Sequence, residues 1–445
     1  MLVSSTENAK GAVNFCYAVL VKFMDGDSNH VRRFLNRLGP GLITGAADDD
    51  PSGIGTYTQA GASLGFATLW TAIVTLPLMI VVQHVCAKIG ICSGLGLAGA
   101  LHKYYSKALL YPVVAGVVIA NTINAGTDIA AISAAINMFI PIPVALMVIP
   151  IGAGIVVLQV WGSYATIVKV FKWLTVSLFA YVIAAFLARP DWSAVARATF
   201  LPVFRLDGQF ITTLVAILGT TISPYLFFWQ ADQEVEEEKK EGRTRVAQRK
   251  GATDEEFRNE KWDTVTGMAF CNVVFYFVIL AAASTLHVAD KTDIRSTAEA
   301  AQALEPLAGS LAKVLFAIGL VGAGFLAVPV LTGSAAYAVA ETFGWRSGLD
   351  EKPRRAKRFY GFIALSTLVG VLIDLIGINP ITALFWTAVI NGVIAPPLLV
   401  VVMLVSNNKR VVGNRVNGIW TNIVGWLAAA IMFAAAIGMV LTWNS

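Results

Sequence analysis

Apolar stretches of roughly 20 residues, the length that crosses a bilayer as a helix, recur along the whole chain with short polar segments between them. They predict eleven helical spans, at residues 40–64, 66–87, 110–131, 143–160, 170–188, 209–231, 264–287, 307–340, 359–376, 381–405 and 418–441. The short alternating segments of a membrane β-barrel are missing. The predicted class is an all-α polytopic membrane protein. The apolar patch at residues 12–23 is short, interrupted and lacks a clean cleavage site, so residues 1–38 read as a cytoplasmic N-terminal segment and not a signal peptide. Residues 39–445 then read as a single transmembrane domain.

Two spans carry an interruption. Span 1 contains Asp48-Asp49-Asp50-Pro51-Ser52-Gly53, and span 6 contains Gly219-Thr220-Thr221-Ile222-Ser223-Pro224-Tyr225. Three acids inside an apolar run are expensive in lipid, and a carboxylate at bilayer depth marks a functional site by default. Pro51 and Pro224 each take one amide out of the helix ladder. A helix broken in this way presents backbone carbonyls and amide ends to a ligand. The two breaks lie five spans apart, and an odd number of crossings reverses direction. Corresponding broken helices in inverted halves point to a transporter's binding site. The repeats are residues 39–188 and 209–405, with residues 418–441 as an extra helix.

Charge adds orientation. The chain has 445 residues, 56% hydrophobic and only 14% charged, against about 25% charged in soluble proteins. With the N-terminus inside, 27 of the 33 Lys and Arg fall on cytoplasmic segments and six on outer loops, as the positive-inside rule requires. The C-terminus is then outside, and the cell (plasma or inner) membrane is the expected location. The net charge of +5 needs no nucleic acid to explain it. Residues 232–262 mix acids and bases and read as a solvated helical cytoplasmic loop. Residues 346–358 form a basic loop suited to anionic lipid headgroups. Cys16, Cys86, Cys92 and Cys271 lack zinc-finger spacing and read as small residues in a reducing compartment. No phosphate-binding loop, His cluster or catalytic set is present, so the chain reads as neither a pump nor an enzyme and implies no cofactor.

Residues 39–70 resemble the natural resistance-associated macrophage protein family of divalent-metal transporters. There the family's Asp-Pro-Gly-Asn and Gln-Ala-Gly-Ala segments correspond to Asp50-Pro51-Ser52-Gly53 and Gln59-Ala60-Gly61-Ala62. Thr127-Asp128-Ile129-Ala130 is similar to the family's Thr-Asp-Leu-Ala run. The resemblance implies a leucine-transporter-like fold. The departures are specific. The family's metal-binding Asn falls on Gly53, its Met-Pro-His on Ser223-Pro224-Tyr225, a second His on Gln230, and a family acid on Ala131.

The residues at the breaks offer mainly oxygen. Asp50 supplies an anionic oxygen, Ser223 a hydroxyl, and the unwound carbonyls near Ala47 and Thr220 add more. Such a set suits Mg²⁺, Ca²⁺ or Mn²⁺ over soft ions. Gly53 is expected to leave room for water. Consecutive helical residues point about 100° apart, so Asp48 and Asp49 line an access path, cap, or share a proton. For Asp128 the resemblance implies a proton acceptor, and an ion pair with Lys169 or Lys172 is the alternative. His84 suits proton transfer or packing, while Tyr225, Gln230 and Asn391 are polar enough to line the pathway. Three functions stay open: a secondary transporter of a hard divalent cation, with protons as a possible co-substrate; a transporter of a small organic solute on the same fold; and a non-transporting membrane sensor.

Overall fold

The computed structural model describes residues 39–162 and 176–442. All regular structure among them is helical. Span 1 is two helices, α1 (Pro40–Asp48) and α2 (Pro51–Leu64). Then come α3 (Trp70–Ser93), a short α4 (Leu97–Tyr104), α5 (Lys107–Asn137) and α6 (Val144–Trp161). After α7 (Ala180–Leu187) and a surface helix α8 (Trp192–Phe200), span 6 is again two helices, α9 (Gly208–Thr221) and α10 (Pro224–Lys240). The chain continues through α11 (Asp254–Ala282), α12 (Ala312–Thr342), α13 (Lys357–Asp374), α14 (Pro380–Ser406) and α15 (Ile419–Leu441).

Among the described residues, eight helical segments are long and apolar enough to cross a membrane. The broken α1–α2 pair and α13 occupy two further predicted spans. The fifth predicted span is described only from residue 176, so Lys169 and Lys172 lie outside the described residues, as do residues 1–38.

Both breaks follow from local chemistry. Proline at the first helical position loses nothing, because that amide has no partner in the helix anyway, and its fixed φ suits the first turn. Asp50 and Ser223 precede the prolines in extended backbone, with φ of −71° and −78°. An extended residue before proline is what proline's ring enforces.

The helices sort into two groups. One contains α1, α2, α3, α10 and α11, and the other α5, α6, α12 and α13. α5 and α12, each 31 residues, hold equivalent places in the two proposed repeats and make the most extensive helix contact. α14 packs on both α9 and α5, and α15 covers α14 from outside. α1 lies backbone to backbone on α11. A Cβ on Gly45 would stand 2.2 Å from the Gly267 carbonyl oxygen, so only glycine permits this approach.

The segment at residues 232–262 corrects one expectation. Helix α10 runs on through Lys240 and α11 begins at Asp254, so the segment is helical at both ends. Residues 240–262 are mostly exposed, as expected, but several acids are not. Asp232, Glu234, Glu236, Glu238 and Glu260 are buried. The intervening turn is pinned by Arg249, whose guanidinium donates to the carbonyls of Gly94, Arg243 and Thr244 at 3.2, 3.0 and 2.8 Å. The charge pattern looked solvent-exposed because such acids are rarely buried. Here α10 extends along α3, with Gln230 donating to Glu234 and Lys239 to Glu236.

Candidate functional site

At the first break, Asp50 is the N-cap of α2. Its Oδ1 accepts the Gly53 amide at 2.6 Å and the Ser52 hydroxyl at 2.7 Å, an arrangement that satisfies amides a helix start leaves orphaned. Its Oδ2 accepts one bond, from Asn124 Nδ2 on α5 at 3.0 Å. Asp48 closes α1 and Asp49 spans the gap. The Cys271 thiol on α11 donates to Asp48 Oδ2 at 3.1 Å and Asp49 Oδ1 at 3.4 Å. The other oxygens, Asp48 Oδ1 and Asp49 Oδ2, are buried without a hydrogen-bond partner. So the three acids do not face one point, and the unwound backbone sends Asp50 toward α5 and the other two toward α11.

Asp128 on α5 is also fully buried, and neither of its oxygens makes a well-formed hydrogen bond. The Ser52 amide faces it, and Asp50 and Asp374 repel it electrostatically. The Tyr57 hydroxyl, itself unpartnered, lies within electrostatic reach of Asp48, Asp49, Asp50 and Cys271.

At the second break, Ser223 Oγ donates back to the carbonyls of Gly219 and Thr220 at 3.0 and 2.8 Å. Its lone pairs remain available to accept. Thr220 Oγ1 is buried and unpartnered. Tyr225 reaches across and donates to the Ala47 carbonyl at 2.9 Å, joining the two breaks directly. One lone pair of that carbonyl is therefore already used. Above Gly53, a Cβ would sit 3.1 Å from Thr220 Oγ1 and 3.3 Å from the Tyr57 ring.

The remaining sequence candidates lie further off. Gln230, one helical turn along α10 from Leu226, accepts from Thr44 at 2.5 Å and donates to Glu234 at 2.8 Å. His84 pairs through Nδ1 with Glu260 at 2.8 Å and packs edge-on against Phe257. These two belong to a polar layer at the end of α1 away from the break. There Asp263 on α11 accepts the Gly41 and Leu42 amides at 2.6 and 3.1 Å. Asn391 is buried on α14 with its Nδ2 unpartnered.

Beyond α2, a cavity of about 510 Å³ opens between α2, α9 and α14, lined by Gln59, Gln209, Thr213, Asp293, Thr382 and Trp386. Leu384 packs on Gly55, between this cavity and the break.

Asn124, Cys271, Tyr57 and Asp263 were not legible as site residues. Asn124 had a usable signal, since it precedes Asp128 by four residues and therefore shares its helix face. Cys271, Tyr57 and Asp263 reach the site only through tertiary packing. Among the described residues, no three His, Cys, Asp or Glu side chains converge as a ready metal cluster. Any ion held here needs amide, hydroxyl or carbonyl oxygens as well.

Comparison with known proteins gives a consistent result. The family model described as "Natural resistance-associated macrophage protein-like" matches residues 41–442. The divalent metal cation transporter MntH of Bacillus subtilis (strain 168) is 26% identical over 431 residues, which cover 94% of this chain and 95% of that protein. Among solved structures, the manganese transporter of Eremococcus coleocola superposes with a TM-score of 0.72 at 18% identity, covering 94% of this chain and 88% of that one. Mhp1, a nucleobase-cation-symport-1 family transporter, superposes with a TM-score of 0.56 at 13% identity, covering 91% and 92%. The fold is leucine-transporter-like, with the broken helices α1–α2 and α9–α10 at its centre.

Proposed function

The chain belongs to the natural resistance-associated macrophage protein family, and we propose that it is a secondary transporter of a hard divalent metal cation, with Mg²⁺ or Mn²⁺ favoured. One observation carries this reading. Asp48, Asp49, Asp50 and Asp128 are 0–1% exposed, and among the described residues none of them pairs with Lys or Arg. Ionised carboxylates in a dry interior cost several kcal/mol each when unpaired. The countercharge therefore comes from protons or from a cation that the protein carries.

The donors near the breaks favour a hard ion. Asp50 retains lone pairs on Oδ2, Ser223 retains acceptor capacity, and the Ala47 and Thr220 carbonyls add neutral oxygens. Mg²⁺ and Mn²⁺ accept such sets and keep some of their waters. Ser223 in place of the family's thioether removes the group best suited to Cd²⁺. The relatives named as divalent metal cation and manganese transporters support the metal substrate. The organic-solute alternative is less favoured, because the relatives matched over most of the chain are named as metal transporters.

Alternating access fits the layout. The cavity between α2, α9 and α14 is the outer vestibule, and Leu384 against Gly55 closes it from the break. On the other side, Asp263 and the Thr44–Gln230–Glu234 chain hold α1 closed. We orient the chain with its N-terminus cytoplasmic and its C-terminus outside, in the cell membrane, on the 27-to-6 charge division. Asp128, beside Asp50 and without a cationic partner, is the proton acceptor in a proton-coupled cycle.

The test is uptake by proteoliposomes. Saturable entry of Mn²⁺ or Mg²⁺, poorly competed by Cd²⁺ and accelerated by an inward proton gradient, is expected. If no divalent ion enters or binds at millimolar concentration while an organic solute stabilises the protein against heat, the metal assignment fails.

A further inference from the structure

We infer that Asn124 on α5 supplies the neutral amide oxygen that coordinates the transported cation, from the side of the site opposite Gly53. The assignment rests on the metal reading of the same site and names one of its specificity-determining residues.

Ionised carboxylate oxygens only accept hydrogen bonds. The face of the Asn124 amide turned toward Asp50 is therefore its NH₂ group, bonded to Oδ2 at 3.0 Å. The amide oxygen, Oδ1, must then point elsewhere, and it is fully buried with no partner at all. A buried acceptor without a donor is costly, and native interiors rarely retain one without a use. Merely orienting Asp50 would employ the NH₂ and leave Oδ1 unexplained.

The surroundings say what would satisfy that oxygen. Asp128 follows four residues later on α5, so both side chains occupy one face. Both Asp128 oxygens also lack a well-formed hydrogen bond. Within a single turn, α5 thus carries three buried oxygens that lack a well-formed hydrogen bond, on the helix that donates to Asp50. Oxygens gathered without donors suit a hard cation. The absence of three convergent His, Cys, Asp or Glu side chains among the described residues agrees with a site in which one ligand is a neutral amide.

The geometry also shows why the amide arrives from α5. An amide side chain at position 53 would begin with a Cβ 3.1 Å from Thr220 Oγ1 and 3.3 Å from Tyr57. A side chain there is crowded by these two neighbours, whereas α5 already donates to Asp50. α2 and α5 belong to different helix groups. A cation held by Asp50 and Asn124 therefore ties the two groups together, so that loading the ion and closing the site become one event.

The experiment is calorimetric titration of the full chain with Mn²⁺ and with Mg²⁺, for the natural sequence, Asn124→Ala and Asn124→Asp, with the thermal unfolding of each metal-free protein recorded alongside. Asn124→Ala should weaken Mn²⁺ binding by about tenfold or more. Asn124→Asp, which keeps an oxygen and loses the NH₂, should bind within a fewfold of the natural protein. Binding by Asn124→Ala equal to the natural protein overturns the inference. So does Asn124→Asp as impaired as Asn124→Ala, because that pattern assigns the residue to positioning Asp50 through its NH₂. If Asn124→Ala does not fold, Asn124→Asp decides alone: near-natural affinity supports the oxygen ligand, and a loss beyond about tenfold refutes it. If the natural protein binds neither ion, the metal reading itself falls and takes this one with it.

Discussion

At the first break Asp50 turns its carboxylate forward, into the amides of the helix it starts. At the second, Ser223 turns its hydroxyl back, into the carbonyls of the helix it has just left. Both residues precede a proline, both have extended backbone, and both open a helix. The difference lies in hydrogen-bonding capacity. A carboxylate only accepts, so it seeks the free amides ahead. A hydroxyl has one proton to give, and it finds the carbonyls that α9 leaves unpaired. The first break therefore concentrates negative charge against α5. The second contributes neutral oxygens and a strap, through Tyr225, back to Ala47. Two breaks that look equivalent in sequence divide the work between charge and geometry.

The largest effect should come from removing the charge while keeping the cap. Asn is as good an N-cap as Asp, so Asp50→Asn should fold and unfold like the natural protein. Losing a buried anionic partner is worth about 3 kcal/mol or more, which converts to on the order of a hundredfold at about 1.4 kcal/mol per tenfold. Mn²⁺ uptake by proteoliposomes should drop to background, and residual uptake above a tenth of the natural rate would show that the first break is not the charged half.

Asp263→Ala comes next. It strips the carboxylate from the first amides of α1, a charge-assisted contact worth roughly 1.5–3 kcal/mol. The thermal midpoint should fall, and a cysteine placed at Thr44 should become more reactive from the cytoplasmic side. An unchanged midpoint together with unchanged reactivity would mean that Asp263 does not hold α1.

Tyr225→Phe cuts the strap between the breaks. One neutral hydrogen bond is worth about 0.5–1.5 kcal/mol, so a severalfold rise in KM for Mn²⁺ is expected with little change in folding. A KM that stays fixed while kcat collapses would assign Tyr225 to the conformational step. Ser223→Ala should do least, because its hydroxyl serves carbonyls that already lie in or beside α9. A loss of about 1 kcal/mol and a fewfold change in uptake are expected. A loss as large as that of Asp50→Asn would erase the asymmetry between the breaks.

What could be read from the chain follows the same division. Proline and the length of apolar runs act locally, so the two breaks, the helical class and the inverted pairing were legible from residues 39–70 and 219–225. The direction of each side chain was not, since it depends on what tertiary packing sets opposite. Cys271 looked like filler because nothing in its own helix shows that α11 faces Asp48 and Asp49. The neighbours of Gly53 were not legible because Thr220 and Tyr57 approach from other turns. The acids of α10 read as solvated because their partners, among them Gln230 and Arg243, act in three dimensions or across a turn.

The central claim, that a divalent cation sits at the first break against Asp50, is tested most directly by anomalous diffraction from crystals of the full chain soaked in Mn²⁺. The account predicts one strong anomalous peak within coordination distance of the Asp50 carboxylate, absent from crystals of Asp50→Asn. A peak confined to the polar layer around Glu260 and Asp263, or one that survives the substitution unchanged, would contradict it.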